Sequence, residues 1–218
     1  MNKWSYGDSW EKFPIREGEV WTEANTMSAV AVWDIFNGMP EFMLAADMVY
    51  CDPPWNLSNI SSFYTKAGKS SIGGNYLCFA NVLFEHIVKI NPNVCYLEIG
   101  KQNINLFLSK FKEIFQYVQN WDVTYYKKNK SFLIRGSNIG ETDVDFTGID
   151  DDYIPGLVLL SENFSCVADL CMGRGLTGIT AYKFDKRFVG TELNKRRLAV
   201  MIDKVTALGG KFAKQESL

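Results

Sequence analysis

An α/β fold, with a sheet flanked by helices on both faces, is predicted for this 218-residue chain by three observations. Short apolar runs alternate with segments of helical periodicity along the chain. One run, around Ala168, ends on a glycine turn that opens a helix, as in sheets that hold a ligand against their strand ends. Hydrophobic residues make up 47% of the chain, enough to bury the core of a single domain, alone or with a small insertion.

The apolar run Met48-Val49-Tyr50-Cys51 reads as a buried strand and leads into Asp52-Pro53-Pro54-Trp55. Two prolines fix φ and remove two backbone donors, so the strand stops and the chain turns outward. That stiff corner presents a carboxylate, bare carbonyl oxygens and an indole face. Such a set suits a flat heteroaromatic ring bearing an NH2 group. Pro-Pro is also ordinary loop punctuation, so the tetrapeptide needs a companion elsewhere to carry chemistry.

Residues 56 to 75 are rich in Ser, Asn and Gly and read as a loop. Gly68-Lys69-Ser70 within it is not a phosphate loop, because a Walker A motif places another glycine five residues before its final one and position 63 is phenylalanine. Two readings of the segment stand: an ordinary surface loop, or a flap over the reacting centre with Phe63, Tyr64, Lys66 and Lys69 placed to touch a base or phosphate once closed.

Leu77, Ala80, Leu83, Phe84, Ile87 and Val88 follow helical spacing until Asn91-Pro92 stops them. The chain's one histidine, His86, falls on the polar side of that helix, so a surface position is expected. Val94 to Ile99 reads as a buried strand, and Phe107, Phe111, Ile114, Phe115 and Val118 form the apolar face of a further helix. Trp121 to Tyr126 and Ser131 to Ile134 read as a hairpin joined through the basic cluster Lys127-Lys128-Asn129-Lys130.

The companion motif is Ala168-Asp169-Leu170-Cys171-Met172-Gly173-Arg174-Gly175-Leu176-Thr177-Gly178, read as strand, glycine turn and helix start. Gly173 and Gly175 let the backbone approach a ligand closely. A second strand follows at Lys186 to Asn194 and carries Glu192 a little over 20 residues on, the spacing of an acid that accepts hydrogen bonds from ribose hydroxyls. By letter this is also the Gly-x-Gly-x-x-Gly of a nicotinamide dinucleotide site, which has no use for Asp-Pro-Pro-Trp.

Together the two motifs resemble the S-adenosylmethionine-dependent amino-methyltransferases, especially their DNA adenine-N6 branch. That family pairs an Asp-Pro-Pro-Trp or Asp-Pro-Pro-Tyr catalytic motif with an Asp-Pro-Phe-x-Gly-x-Gly-Thr-like cofactor motif. Here Asp169, Gly173 and Gly175 are kept, while Leu170, Cys171 and Arg174 depart from the pattern. The catalytic motif precedes the cofactor motif, which resembles the permuted, beta-type order of these enzymes.

The resemblance, which covers about three quarters of the chain, implies a Rossmann-like methyltransferase fold with a mostly parallel sheet of about seven strands, and residues 1–218 read as one such domain. The strands around Asp169 and Glu192 then need a partner. After a helix from Asn194 to Leu208 the chain is expected only to fray through Gly209-Gly210, so Ser28 to Asp34 is the candidate, with Asp34 near the cofactor's adenine.

Implied catalytic residues are Asp52, Pro53, Pro54 and Trp55. Implied cofactor residues are Asp34, Asp52, Asp169, Cys171, Met172, Gly173, Gly175, Thr177, Glu192, Leu193 and Asn194. Phe63, Tyr64, Lys66, Lys69, Lys127, Lys128 and Lys130 are candidates for substrate contact, and no metal is implied. Asp52 and the Pro53 carbonyl would accept the amine hydrogens, Trp55 would stack on the base, and a base in duplex DNA would be flipped out. The implied substrate is the N6 amine of adenine in DNA. Adenine in RNA, cytosine N4, or a non-catalytic nucleic-acid-binding subunit of the same fold are the alternatives.

Formal net charge is only −2, which is low for a protein that grips phosphates, although charge is segregated. Lys127 to Lys130 and Lys195-Arg196-Arg197 are basic, whereas Glu141 to Asp152 carries acids and no base. The acidic segment, 136 to 155, stands where beta-type enzymes carry a target-recognition insertion, but at about 20 residues it is far below the ~50 of a separate domain. One small protomer offers little surface for both flipping and recognition, so a dimer or a partner subunit is expected.

The cysteines at 51, 78, 95, 166 and 171 form neither a zinc pattern nor a disulfide framework. No run reaches membrane-spanning length, and Met1-Asn2-Lys3-Trp4 opens no signal-peptide core. A reducing, cytoplasmic setting is the expectation.

Overall fold

The computed structural model describes residues 6–70 and 74–215, so Met1 to Trp4 and residues 71–73 of the segment read as loop or flap lie outside the described residues. In chain order the strands are β1 (Val20–Glu23), β2 (Ala29–Val32), β3 (Met48–Cys51), β4 (Val94–Gly100), β5 (Tyr117–Tyr125), β6 (Asn129–Ser137), β7 (Cys166–Asp169), β8 (Arg187–Glu192) and β9 (Phe212–Lys214). The helices are α1 (Ser9–Lys12), α2 (Leu57–Ala67), α3 (Tyr76–Ile90), α4 (Ile104–Ile114), α5 (Ile154–Ser161), α6 (Leu176–Lys183) and α7 (Lys195–Ala207).

Among the described residues the strands form one 9-stranded sheet in the order β5-β6-β4-β3-β7-β8-β2-β1-β9. The middle pairings, β4-β3, β3-β7, β7-β8 and β8-β2, are parallel. Both margins are antiparallel. Every residue of β2, β3, β4 and β7 is buried, which is why these strands read as continuous apolar runs rather than alternating ones.

Ala29 to Val32 pairs with β8, so an N-terminal strand completes the C-terminal half as expected. The sheet exceeds the expected strand count because β1 and β9 extend that margin. β9 pairs with β1 where only fraying was expected after Gly209-Gly210.

Phe79, Leu83, Ile87, Phe107 and Phe111 of α3 and α4 cover one face of the sheet. Ile154, Val158, Ile179, Leu198, Met201 and Ile202 of α5, α6 and α7 cover the other. The link from β3 to β4 thus crosses one face, and the link from β7 to β8 the other. At the neighbouring carboxyl ends of β3 and β7 the chain therefore departs in two directions, and a crevice opens there.

Further sequence expectations are corrected: Val118, expected on the helix with Phe107 and Phe111, lies in β5, because α4 ends at Ile114. The segment after the Pro-Pro corner is helix α2, not a loop. Asn56 caps it by accepting from Asn59 N (2.9 Å), Gly68 closes it at φ +74, and Ile60 and Tyr64, four apart, are its buried stripe. Its many polar residues concealed that spacing. His86 is buried, and its Nε2 hydrogen-bonds the Ile35 carbonyl at 2.9 Å because the short helical turn Ile35–Asn37 covers that flank of α3.

The acidic segment is tied into the fold as well. Phe146 is fully buried, with its ring 5.0 Å from Trp121 and 5.9 Å from Tyr96. Among the described residues no helix is long and apolar enough to cross a membrane.

Candidate active site

The Pro-Pro corner is braced from three sides. Tyr76 of α3 donates to the Pro54 carbonyl (2.8 Å), Asn103 ahead of α4 donates to the Trp55 carbonyl (2.7 Å), and the Trp55 N–H donates to Asn59 of α2 (3.3 Å). Trp55 Nε1 donates to Asp52 Oδ1 at 2.9 Å. The indole lies over Gly100, where a Cβ would come within 2.6 Å of its Cε3, and leans on Tyr125 with ring centroids 4.6 Å apart.

The glycine turn after β7 is wired to the end of β8. Gly173, left-handed at φ +57, donates its N–H to Glu192 Oε2 (2.7 Å), and Asn194 N donates to Glu192 Oε1 (2.8 Å). Asp169 Oδ1 accepts from Cys171 N at 3.0 Å. Gly175 is needed for packing: it sits at φ +74, and a Cβ there would fall 1.9 Å from Met201 Cγ on α7.

Helix α2 closes over this end. Tyr64 donates to Asp34 Oδ1 (2.6 Å), Asn194 Nδ2 donates to the Lys66 carbonyl (2.9 Å), and the Arg197 guanidinium lies 4.7 Å from the centre of the Phe63 ring.

The two motifs open into one cleft of about 360 Å³. It is lined by Asp34, Asp52, Pro54, Asp169, Cys171, Met172, Gly173, Thr177, Glu192 and Leu193, with Phe63, Tyr64 and Lys66 from α2. Pro53, Trp55, Gly175 and Asn194 stand behind this wall and support it. Trp55 faces Gly100 and Tyr125 rather than the cleft.

Of the expected basic contacts only Lys66 lines the cleft. Lys69 is paired with Glu17 and lies 3.8 Å from Asp34 Oδ2, and Lys130 with Asp122 at 2.6 Å. Lys127 and Lys128 belong to the turn between β5 and β6, outside the lining.

Sequence reasoning missed Tyr50, Glu98, Tyr125, Tyr126, Asp151 and Arg197, which also line the cleft. Glu98 carried a signal, as the lone acid in the apolar run Val94 to Ile99. Tyr126 carried none, because its place follows from a turn in which it and Lys127 take φ +52 and +60.

Burial pushes the Asp52 carboxyl up to about 7, helped by the neighbouring Asp169 charge and opposed by the Trp55 hydrogen bond. Its carboxylate opens onto the cleft, where solvent reaches it. Burial also pushes Asp169 up to about 7 and Asp151 to about 6, and raises Glu192. A crevice lined with carboxylates whose protonation is finely balanced suits a cationic ligand.

This is the α/β fold of S-adenosylmethionine-dependent methyltransferases. The M1.HpyAVI–SAM complex matches with a TM-score of 0.57 at 13% identity, over 81% of this chain and 98% of that one. TTHA0409 of Thermus thermophilus, complexed with S-adenosyl-L-methionine, matches at 0.55 and 13% identity, over 82% of this chain and 93% of that one. The PvuII DNA methyltransferase, named as cytosine-N4-specific, matches at 0.51 and 13% identity, over 88% of this chain and 95% of that one. No protein-family model matches the chain, and no curated protein matches it in sequence.

Proposed function

We propose that the chain is a DNA methyltransferase that moves the methyl group of S-adenosylmethionine to an exocyclic base amine, the N6 amine of adenine. One observation carries this reading: Asp52 and Asp169, far apart in sequence, end neighbouring parallel strands and open into the same cleft.

The donor set fits the cofactor. Carboxylates at Asp169 and Glu192, apolar walls from Leu170, Leu176 and Leu193, and a left-handed glycine at 173 suit a ligand with cationic groups, ribose hydroxyls and a flat base. S-adenosylmethionine supplies a methyl group already activated on a sulfonium sulfur.

The chain's own residues position the acceptor. Ionised Asp52 accepts a hydrogen bond from the amine N–H, which favours a pyramidal nitrogen with its lone pair directed at the methyl group. Orientation of this kind contributes up to ~7–11 kcal/mol in favourable cases. Tyr125 and Tyr126, with ring centroids 4.3 Å apart, line the cleft beside Asp52 and offer the base an aromatic wall. A base in a duplex reaches this depth only when flipped out.

Cytosine N4 is the second reading, supported by the likeness to the PvuII enzyme. Incubation with labelled S-adenosylmethionine and unmethylated DNA or RNA, then digestion to nucleosides and mass spectrometry, identifies base, atom and polymer together. Asp52→Ala is expected to abolish transfer and keep cofactor affinity, while Asp169→Ala weakens that affinity. An Asp52→Ala protein as active as the parent would overturn the reading.

A further inference from the structure

Glu98 is the one acid of β4 and stands beside the corner carboxylate. The ladder between β3 and β4 runs through Cys51 opposite Leu97, so one residue further sets Glu98 beside Asp52. Strand alternation points both to the sheet face of Tyr50 and Tyr96. The Glu98 side chain is 2% exposed, lines the cleft, and accepts at Oε1 from the Tyr50 hydroxyl. Its other oxygen, Oε2, is buried and has no hydrogen-bond partner. An orphaned buried oxygen at a ligand cleft calls for an explanation, because such atoms are rare in folded proteins.

Burial, and next the Asp52 charge, push the Glu98 carboxyl well above the usual carboxylate range. The groups that face it are Tyr50 and Asp52 from β3 and its corner, Asp169 from β7 and Asp151 from the segment before α5. Its neighbour across β6 is the uncharged Leu133. None of these favours the ionised form except the Tyr50 hydroxyl, which burial and the nearby charges outweigh. A neutral carboxyl has one O–H to donate, and with Oε1 accepting from Tyr50 the proton belongs on Oε2.

We propose that Glu98 Oε2 donates a hydrogen bond to the ring nitrogen next to the methyl-accepting amine, and so makes Glu98 a specificity-determining residue. The inference deepens the reading of the cleft given above and rests on it. An acceptor at Asp52 beside a donor at Glu98 matches an amine beside a bare ring nitrogen, the edge shared by adenine and cytosine. Guanine presents a ring N–H beside its amine, which would set donor against donor.

The test uses Glu98→Gln, which keeps a donor that does not titrate, and Glu98→Leu, which has none. Methylation is followed on genomic DNA free of adenine and cytosine methylation, from neutral to alkaline pH. The parent enzyme is expected to lose kcat/KM on the alkaline side as Glu98 ionises. E98Q removes that decline, and E98L is about tenfold slower throughout with unchanged cofactor affinity by calorimetry.

An oligonucleotide with the site found modified then carries 1-deazaadenine or 3-deazacytosine as the target. Loss of the ring nitrogen is expected to cost the parent and E98Q about tenfold and E98L nothing. If E98L does not fold, the parent and E98Q comparison decides alone. An E98Q enzyme that keeps the alkaline decline, or a deaza penalty absent from the parent, overturns the role of Glu98 and leaves the methyltransferase reading standing. A parent protein that binds cofactor and methylates no nucleic acid overturns both.

Discussion

Trp55 donates its indole N–H to Asp52 Oδ1 across 2.9 Å, so the aromatic of the corner braces its carboxylate. Trp55→Phe keeps most of the packing and removes the donor. A hydrogen bond to a charged group contributes about 1.5–3 kcal/mol, so transfer should fall by roughly ten- to a hundredfold. The sign of the pH effect follows. In the proposed reaction Asp52 acts ionised, and its pKa of about 7 is already held down by Trp55, so kcat/KM should rise through that pH in the parent and through a higher pH in the variant. A pH–rate profile reads this directly. An unchanged profile with a raised KM for DNA would return Trp55 to base stacking.

Gly100 makes room for that brace. A methyl group there would lie 2.6 Å from Trp55 Cε3, and Tyr125 limits retreat on the far side. Gly100→Ala should cost ~1–3 kcal/mol of stability through overpacking and should lower activity more than stability alone explains. Trp55→Phe placed in the Gly100→Ala background should recover melting temperature but not rate. Full activity in Gly100→Ala would mean that the indole position does not matter.

Both halves of the cleft were legible in the sequence because each is a strand end with its own punctuation. Pro53-Pro54 marks one and Gly173 to Gly175 the other, and the parallel strands behind them are unbroken apolar runs. The helix after the corner was not legible from composition, since its buried stripe is only Ile60 and Tyr64 among polar neighbours. The hydrogen bond from Trp55 to Asp52 was not legible, because an indole can stack or donate and its seat against Gly100 is distant in sequence. Tyr126 enters the cleft through tertiary contacts that no local pattern encodes.

Those contacts are specific. Tyr126 and Lys127 occupy a tight turn at φ +52 and +60, a conformation that favours Asn and Gly. Acids of the short segment before α5 hold it: Asp151 Oδ1 accepts from Tyr126 N (3.0 Å) and Asp150 Oδ2 from Lys127 N (2.6 Å). Lys127→Gly should therefore raise stability by about 1 kcal/mol, seen as a higher melting temperature. Asp150→Ala should lower it and raise KM for DNA, because Tyr126 loses its fixed place, while calorimetric cofactor affinity stays unchanged. A lower melting temperature for Lys127→Gly would show that the lysine side chain itself holds the turn.

Asp169, buried at the end of β7, titrates near 7 in the fold, against about 3.9 for an unfolded aspartate. Between those values the native protein holds a proton that the unfolded chain has released, so the free energy of unfolding falls as pH rises through that window. The cofactor-free protein should melt at a higher temperature near the acid end of the window than above pH 7. Asp169→Asn keeps the acceptor for Cys171 N and removes one of the charges, so its melting temperature should vary less with pH and exceed the parent's on the alkaline side. Adding S-adenosylmethionine to the parent should raise the melting temperature most on that side, where its cationic groups meet ionised carboxylates. A parent melting temperature independent of pH across the window would mean that the cleft carboxylates are not held protonated by the fold.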